Sequence, residues 1–267
     1  MKYYVTADVH GYFTALKTAL AAQGFFDDTE PHKLVICGDL YDRGTEALQL
    51  QEFILDLLSK DQVILIRGNH EDLALDLLHN WSRKSYLQRH HNLNGTVDTV
   101  CQLTGFSERE VYIKTDAVGK AFLQNPLIQT IIPAMADYFE TEHYIFVHGW
   151  IPCTPISLSS TEKEYVPIPD WRNAAAIRRA KKTHNEAMLR VIERMKQRGY
   201  HGLMGGASCC SLCERCAKLD EAPCPSPELR FSCLSAYCIY VKKLADACGM
   251  EYACRDGRLA FFGLYAF

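Results

Sequence analysis

Apolar residues in the first 150 positions come in short unbroken runs, each stopping at Gly, Asp, Arg or His. Tyr3-Tyr4-Val5-Thr6-Ala7 stops at Asp8, and Lys33-Leu34-Val35-Ile36-Cys37 at Gly38-Asp39. Gln62-Val63-Ile64-Leu65-Ile66 stops at Arg67-Gly68, and His143-Tyr144-Ile145-Phe146-Val147 at His148-Gly149. Runs of this length without polar alternation predict strands buried on both faces. Between them the period becomes helical. Ala15 to Ala22 reads as a helix stopped by Gly24. A second helix, capped by Thr45, runs through Leu58 with Leu48, Leu50, Phe53, Ile54, Leu57 and Leu58 at helical spacing. A third runs from about Glu71 to His79. Strands that alternate with helices predict α/β layers.

The remaining pattern is weaker. Trp81 to Asp137 predicts two or three helices and carries no motif. Pro152 to Pro169 is rich in Pro, Ser and Thr and reads as a long loop, a candidate boundary. Asn173 to Arg198 predicts a long helix closed by Gly199. From Trp171 to Arg198 the basic residues, Arg172 and Arg178 among them, read as a solvated face in preference to a phosphate or nucleic-acid patch.

Composition narrows the class. The 267 residues are 48% hydrophobic and 23% charged, which is globular usage and excludes disorder. A net charge of -3 argues against a generally basic nucleic-acid binder. No apolar run approaches the roughly 20 residues of a bilayer span. The N-terminus lacks a signal-peptide core, so a cytoplasmic protein without membrane partners is expected. Cysteine stands out: of 12, three lie in the first 200 residues and nine between Cys209 and Cys254. In a reducing compartment such a cluster favours metal or redox chemistry over disulfides.

The strand ends carry the chemistry. They are Asp8-Val9-His10-Gly11, Gly38-Asp39-Leu40-Tyr41-Asp42-Arg43-Gly44, Gly68-Asn69-His70-Glu71 and His148-Gly149. Asp, His and Asn are oxygen and nitrogen ligands suited to Mn, Fe or Zn. Carboxyl ends of neighbouring strands place them at one edge of a sheet, where open α/β folds build sites. A lone Asp-x-His or Gly-Asn-His is more often a turn. All the blocks in order, each after an apolar strand, point to a metal site. A carboxylate such as Asp39 can bridge two cations about 3.5–4 Å apart that share an activated water. Arg43 can grip phosphate oxygens with its planar fork. His70, oriented by Asp42, can protonate a leaving oxygen.

These blocks resemble the calcineurin-like metallophosphoesterases over about residues 1–171. The Asp-Arg-Gly and Asn-His-Glu forms resemble the phosphoprotein phosphatase branch, which includes Ser/Thr phosphatases and diadenosine tetraphosphatases. The resemblance implies Asp8 and His10 as ligands of a first metal, Asp39 as the bridge, and Asn69 and His148 as ligands of a second. It implies His70 as general acid, with Asp42 behind it and Arg43 on the phosphate. The family's downstream Gly-His-x-His motif has no counterpart after His148; the later histidines are His184 and His201.

The C-terminal third holds Cys210, Cys213 and Cys216 at C-x2-C-x2-C spacing, with Cys224 before Pro225. Thiolates at three-residue intervals can wrap one cluster, which favours [4Fe–4S]; a four-cysteine zinc site is the competitor. From about 173 to the C-terminus the chain resembles the C-terminal part of a cysteine-rich family of predicted metal-binding proteins. The resemblance implies a metal or iron–sulfur centre.

The resulting expectation is an α/β metallophosphoesterase-like layer over 1–171 and a small cysteine-rich α+β segment over 172–267. It binds two divalent ions and hydrolyses phosphate monoesters on a protein or a small molecule. The alternative is a non-catalytic metal- and iron–sulfur-binding fusion with an incomplete phosphoesterase site.

Overall fold

The computed structural model describes residues 1–81, 87, 89–142, 144–149, 152–157, 163–169, 171–180, 202–205 and 265–266. Contacts divide the chain into two units, Met1–Ala136 with Leu264–Phe267, and Asp137–Gly263.

The first unit is built on β1 (Lys2–Thr6), β2 (His32–Cys37) and β3 (Val63–Ile66), with α1 (Phe13–Ala22) and α2 (Ala47–Ser59) as the crossovers. The three strands are parallel in the order β3-β2-β1, with Val5 opposite Val35 and Val35 opposite Ile64. Their buried residues include Tyr4, Leu34, Ile36 and Ile66, as expected for a sheet covered on both faces. Leu50 and Ile54 on α2 are also fully buried, which is the face the helical period predicts. Thr45 is not the cap of α2: Glu46 occupies that position, and its carboxylate accepts the amide of Thr14 at 3.1 Å and the Thr14 hydroxyl.

The stretch after α3 (Asn69–Asn80) holds more helix than its sequence predicts. It contains α4 (Arg89–Asn94), α5 (Thr96–Thr104), α6 (Glu108–Ile113) and α7 (Thr115–Gln124), followed by a short π-helical and 3-10 segment to Ala134. Each is brief, so no long apolar period announces it. Gly95 and Gly105 bound α5 in left-handed conformation, and Ser107 with Glu110 makes a capping box at α6. Ala136 then runs beside β3, exchanging backbone bonds with Leu65 and Arg67 at 2.9 Å each.

In the second unit β4 (Phe139–Glu140) pairs antiparallel with β5 (Tyr144–Val147), which pairs parallel with β8 (Gly202–Gly205). The segment read as a loop is a hairpin of β6 (Cys153–Ser157) and β7 (Lys163–Pro167), with Pro155 opposite Tyr165. This hairpin is a separate two-stranded sheet, where proline costs no ladder partner on a further strand. The helix that follows is described over Ala174–Ala180, as α8; the rest of the predicted 173–198 helix lies outside the described residues. Arg172 forks onto Glu140 at 2.7 and 2.8 Å, and Arg178 onto Asp137 at 2.6 and 3.0 Å. Those two arginines are acid-paired, in keeping with a solvated face. Among the described residues, no helix is long and apolar enough to cross a membrane. In the first unit, β9 (Tyr265–Ala266) pairs antiparallel with β1.

Candidate active site at the carboxyl ends of the parallel strands

The loops after β1 and β2 are laced together by backbone bonds. Asp8 N–H donates to Gly38 O at 3.1 Å, His10 N–H to Asp39 O at 2.9 Å and Gly11 N–H to Leu40 O at 2.7 Å. Gly44 N–H returns to His10 O at 2.8 Å. This lacing holds a strained backbone. Asp8, His10, Asp39, Asp42 and Arg43 all have positive φ, between 48° and 73°, and only Asp61 joins them among the described non-glycine residues. Such a conformation costs about 1–3 kcal/mol per residue and persists only where the surroundings over-determine it. Here it falls on five of the residues singled out by sequence.

Helix α3 supplies the other wall. Asp39 Oδ1 accepts the His70 amide at 3.0 Å, so the carboxylate caps the first turn of α3. Glu71 reaches back and accepts the amides of Gly68 at 2.7 Å, Leu40 at 2.9 Å and Asp39 at 3.1 Å. A Cβ at Gly68 would overlap the Asp39 carboxylate and amide. The φ of Gly68 is -89°, open to any residue, so it is space and not conformation that requires glycine here. Gly68→Ala is expected to destabilise the protein by about 1–3 kcal/mol through overpacking. A thermal melt that leaves Tm unchanged sinks this prediction.

Asp39 Oδ2 faces two imidazoles, 3.8 Å from His10 Nε2 and 3.8 Å from His70 Nε2. The two rings meet edge to face at 4.6 Å. His10 Nδ1 lies 2.9 Å from Tyr41 O, so Nδ1–H donates there and the Nε2 lone pair points to the Asp39 side. Burial holds the His10 imidazole neutral, down to about pH 3; His70 and Arg43 add to this and Asp39 opposes it. Burial and the Asp39 charge push the Glu71 carboxyl up to about 7, against the amides of Leu40 and Gly68.

His70 Nδ1 lies 2.7 Å from Asp42 Oδ2, and His70 Nε2 lies 3.3 Å from an Arg43 guanidinium nitrogen. Asp42 is itself held by α5. Thr96 Oγ1 donates to Oδ2 at 2.8 Å and Thr99 Oγ1 to Oδ1 at 2.8 Å, while the Asp42 amide donates to Thr99 Oγ1 at 3.0 Å. Sequence reading missed these threonines because they sit in the segment without a motif. A pair of hydroxyls one helical turn apart leaves no signature of its own.

Four carboxylates are thus buried in this corner: Asp8, Asp39, Asp42 and Glu71 are each at most 3% exposed. Buried charge on this scale is stable only when paired or metal-bound. A cation beside Asp39 and the neutral His10 fits the donor set. His10, Asp39 and His70 place one ligating atom each within 4.8 Å of one another. Asp8 lies early in the loop after β1, two residues before His10, and Asn69 is the first residue of α3, next to His70. His148 belongs to the second unit, where it follows β5 and is buried. Cys210, Cys213, Cys216 and Cys224, with His184 and His201, lie outside the described residues.

Several named proteins are similar to part of this chain. Serine/threonine-protein phosphatase 2 of Salmonella typhimurium is 41% identical over 73 residues, 27% of this chain and 31% of its own. The symmetrical bis(5'-nucleosyl)-tetraphosphatase of Hamiltonella defensa is 32% identical over 116 residues, 43% of this chain and 40% of its own. The chain therefore spans about a third to two fifths of these curated relatives. Among solved structures, a protein serine/threonine phosphatase from Saccharomyces cerevisiae covers 66% of this chain and 44% of its own, at 19% identity and TM-score 0.36. The family described as predicted metal-binding protein (DUF2284) matches residues 146–265. The calcineurin-like phosphoesterase family matches residues 1–194. The two matches overlap from 146 to 194. Both descriptions imply divalent metal. With nearly three quarters of its length matched, the chain belongs to the calcineurin-like phosphoesterase family.

Proposed function

We propose that the protein is a metal-dependent phosphoesterase that hydrolyses phosphate monoesters, on a phosphorylated protein or a small molecule, with metal-activated water. The observation that carries this reading is the Asp42–His70–Arg43 chain of contacts set against His10 and Asp39. Two divalent ions (Mn, Fe or Zn) would be held by Asp8, His10, Asp39, Asn69 and His148. When bound they would supply charge neutralisation and a water of lowered pKa.

The chain's own residues do the rest. Asp42 accepts Nδ1–H of His70 and fixes the ring so that Nε2 is the working nitrogen. Protonated there, His70 delivers its proton to the leaving oxygen as the ester bond breaks. Thr96 and Thr99 hold both Asp42 oxygens, so the dyad does not swing. The Arg43 fork lies beside the same nitrogen and binds the non-bridging phosphoryl oxygens. The neutral imidazole of His10 binds a cation without first losing a proton. In the C-terminal segment, Cys210, Cys213, Cys216 and Cys224 hold a [4Fe–4S] cluster or a zinc ion.

A second reading has one specific support, the missing Gly-His-x-His motif after His148. In it the first half binds metal or phosphate without turnover. The test is hydrolysis of p-nitrophenyl phosphate with Mn²⁺, before and after chelation. Turnover that disappears with chelator and returns with Mn²⁺ is expected. A folded, metal-loaded protein with no metal-dependent turnover favours the binding reading and overturns the enzyme.

A further inference from the structure

Away from His10, Asp39 and His70, helices α3 and α4 bring a second group of nitrogen and oxygen donors together. Asp76 Oδ2 lies 3.0 Å from His91 Nε2 and 3.6 Å from His90 Nε2. The ligating atoms of all three residues fall within 4.8 Å of one another. The two imidazoles lie side by side, with ring centroids 4.1 Å apart and planes tilted by 52°. We propose that Asp76, His90 and His91 form a mononuclear site for a divalent transition cation of the Zn²⁺ class, separate from the phosphoesterase centre.

The spacing suits a cation. Zinc bonds to imidazole nitrogen and carboxylate oxygen are about 2.0–2.2 Å, which makes the edge of a tetrahedral shell about 3.3–3.5 Å. The separations of 3.0 and 3.6 Å fall on either side of that edge. A hydrogen bond explains the shorter one alone, because 3.6 Å is too long for an N–H donor. Both rings nevertheless turn the same nitrogen, Nε2, to one carboxylate oxygen. A cation between the three atoms accounts for that convergence.

The supporting groups suit it as well. Asn80 Nδ2 donates to Asp76 Oδ1 at 2.9 Å and to the Asp76 carbonyl at 2.9 Å, leaving Oδ2 toward the histidines. Metal-binding carboxylates are commonly held this way by a neighbouring donor. His91 is fully buried, whereas the side chains of Asp76 and His90 are 45% and 48% exposed. One ligand is therefore anchored in the fold while the open side admits a water as the fourth. Two imidazoles and one carboxylate are a borderline donor set that selects Zn²⁺, Fe²⁺ or Mn²⁺ over Mg²⁺ or Ca²⁺. Asp76 lies six positions after His70 on α3, about 9 Å along the helix axis. That is well beyond the roughly 3.5–4 Å between paired catalytic ions. A cation here ties α3 to α4, whose chain continues into Gly95 and Thr96 behind Asp42.

The test counts Zn²⁺ by equilibrium dialysis on the full chain, comparing wild type with His90→Ala and Asp76→Asn. The difference between proteins isolates this site from the cysteine segment and the phosphoesterase centre. Each variant is expected to bind one Zn²⁺ fewer, and crystals soaked in Zn²⁺ to show an anomalous peak bonded to Asp76, His90 and His91. Both substitutions fall at half-exposed side chains, and Asn at 76 keeps its Asn80 partner. Mn²⁺-dependent turnover of p-nitrophenyl phosphate in His90→Ala should stay within about twofold of wild type, separating this site from the proposed enzyme. Equal zinc content in all three proteins, or loss in one variant only, overturns the proposal. So does a soaked crystal without a peak at this position.

Discussion

His70→Asn hydrolyses phenyl phosphate, an ester with a poor leaving group, with kcat about 10²–10⁴-fold below wild type while the far-UV spectrum stays native. The range is that of a positioned general acid removed from a transition state. His70 touches both halves of the machinery, with Nδ1 on Asp42 and Nε2 beside Arg43 and Asp39. Asparagine keeps the α3 amide that caps onto Asp39, so the first turn stays in place while the titratable nitrogen is gone. The loss should shrink for esters with good leaving groups, which need no proton as they depart. Rates within tenfold of wild type on a poor leaving group, in a folded protein, would falsify the assignment of His70 as acid.

Asp39→Asn is expected to lose more. Asp39 serves two purposes with its two oxygens: Oδ1 caps the His70 amide, and Oδ2 faces the His10 and His70 imidazoles. Asparagine retains one carbonyl for the cap and replaces the second oxygen by a donor nitrogen, which repels cations. Removing a bridging carboxylate takes away several kcal/mol of charge stabilisation, or more than about 10³-fold in rate, since each 1.36 kcal/mol is tenfold. Metal analysis should show the loss directly, with fewer Mn²⁺ bound than in wild type. If Asp39→Asn binds wild-type Mn²⁺ and turns over normally, the bridging role is wrong. Gly68→Ala approaches the same carboxylate from behind and provides an independent check through stability.

The parallel core was plain from the order of residues alone. Three apolar runs such as Lys33–Cys37 and Gln62–Ile66 became β2 and β3 within a residue or two. A strand buried on both faces needs nothing but apolar side chains, so its signal is local and strong. The polar residues after each run were equally visible, because Asp-x-His-Gly and Gly-Asn-His-Glu break the apolar pattern abruptly. Two features of the site and one of the fold were not visible. The positive φ at Asp8, His10, Asp39, Asp42 and Arg43 appears only once the two loops are bonded to each other. Glu71 closed the Gly68-Asn69-His70-Glu71 block without a role of its own; it is the acceptor that ties Gly68, Asp39 and Leu40 together. The Pro- and Ser-rich stretch from 152 carried loop composition, yet its backbone pairs as a hairpin, because strand pairing is set by partners and proline is tolerated outside a wider ladder.

The order of amino acids already settles where backbone must be buried and where chemistry can sit, since both follow from the character of each residue and its nearest neighbours. It is silent on which distant groups meet. Thr96 and Thr99 reach Asp42 across more than fifty residues, and Asp76 on one helix finds His90 and His91 on the next. Such meetings depend on how helices pack after loops close, and short polar side chains in an unpatterned stretch give no advance sign of them.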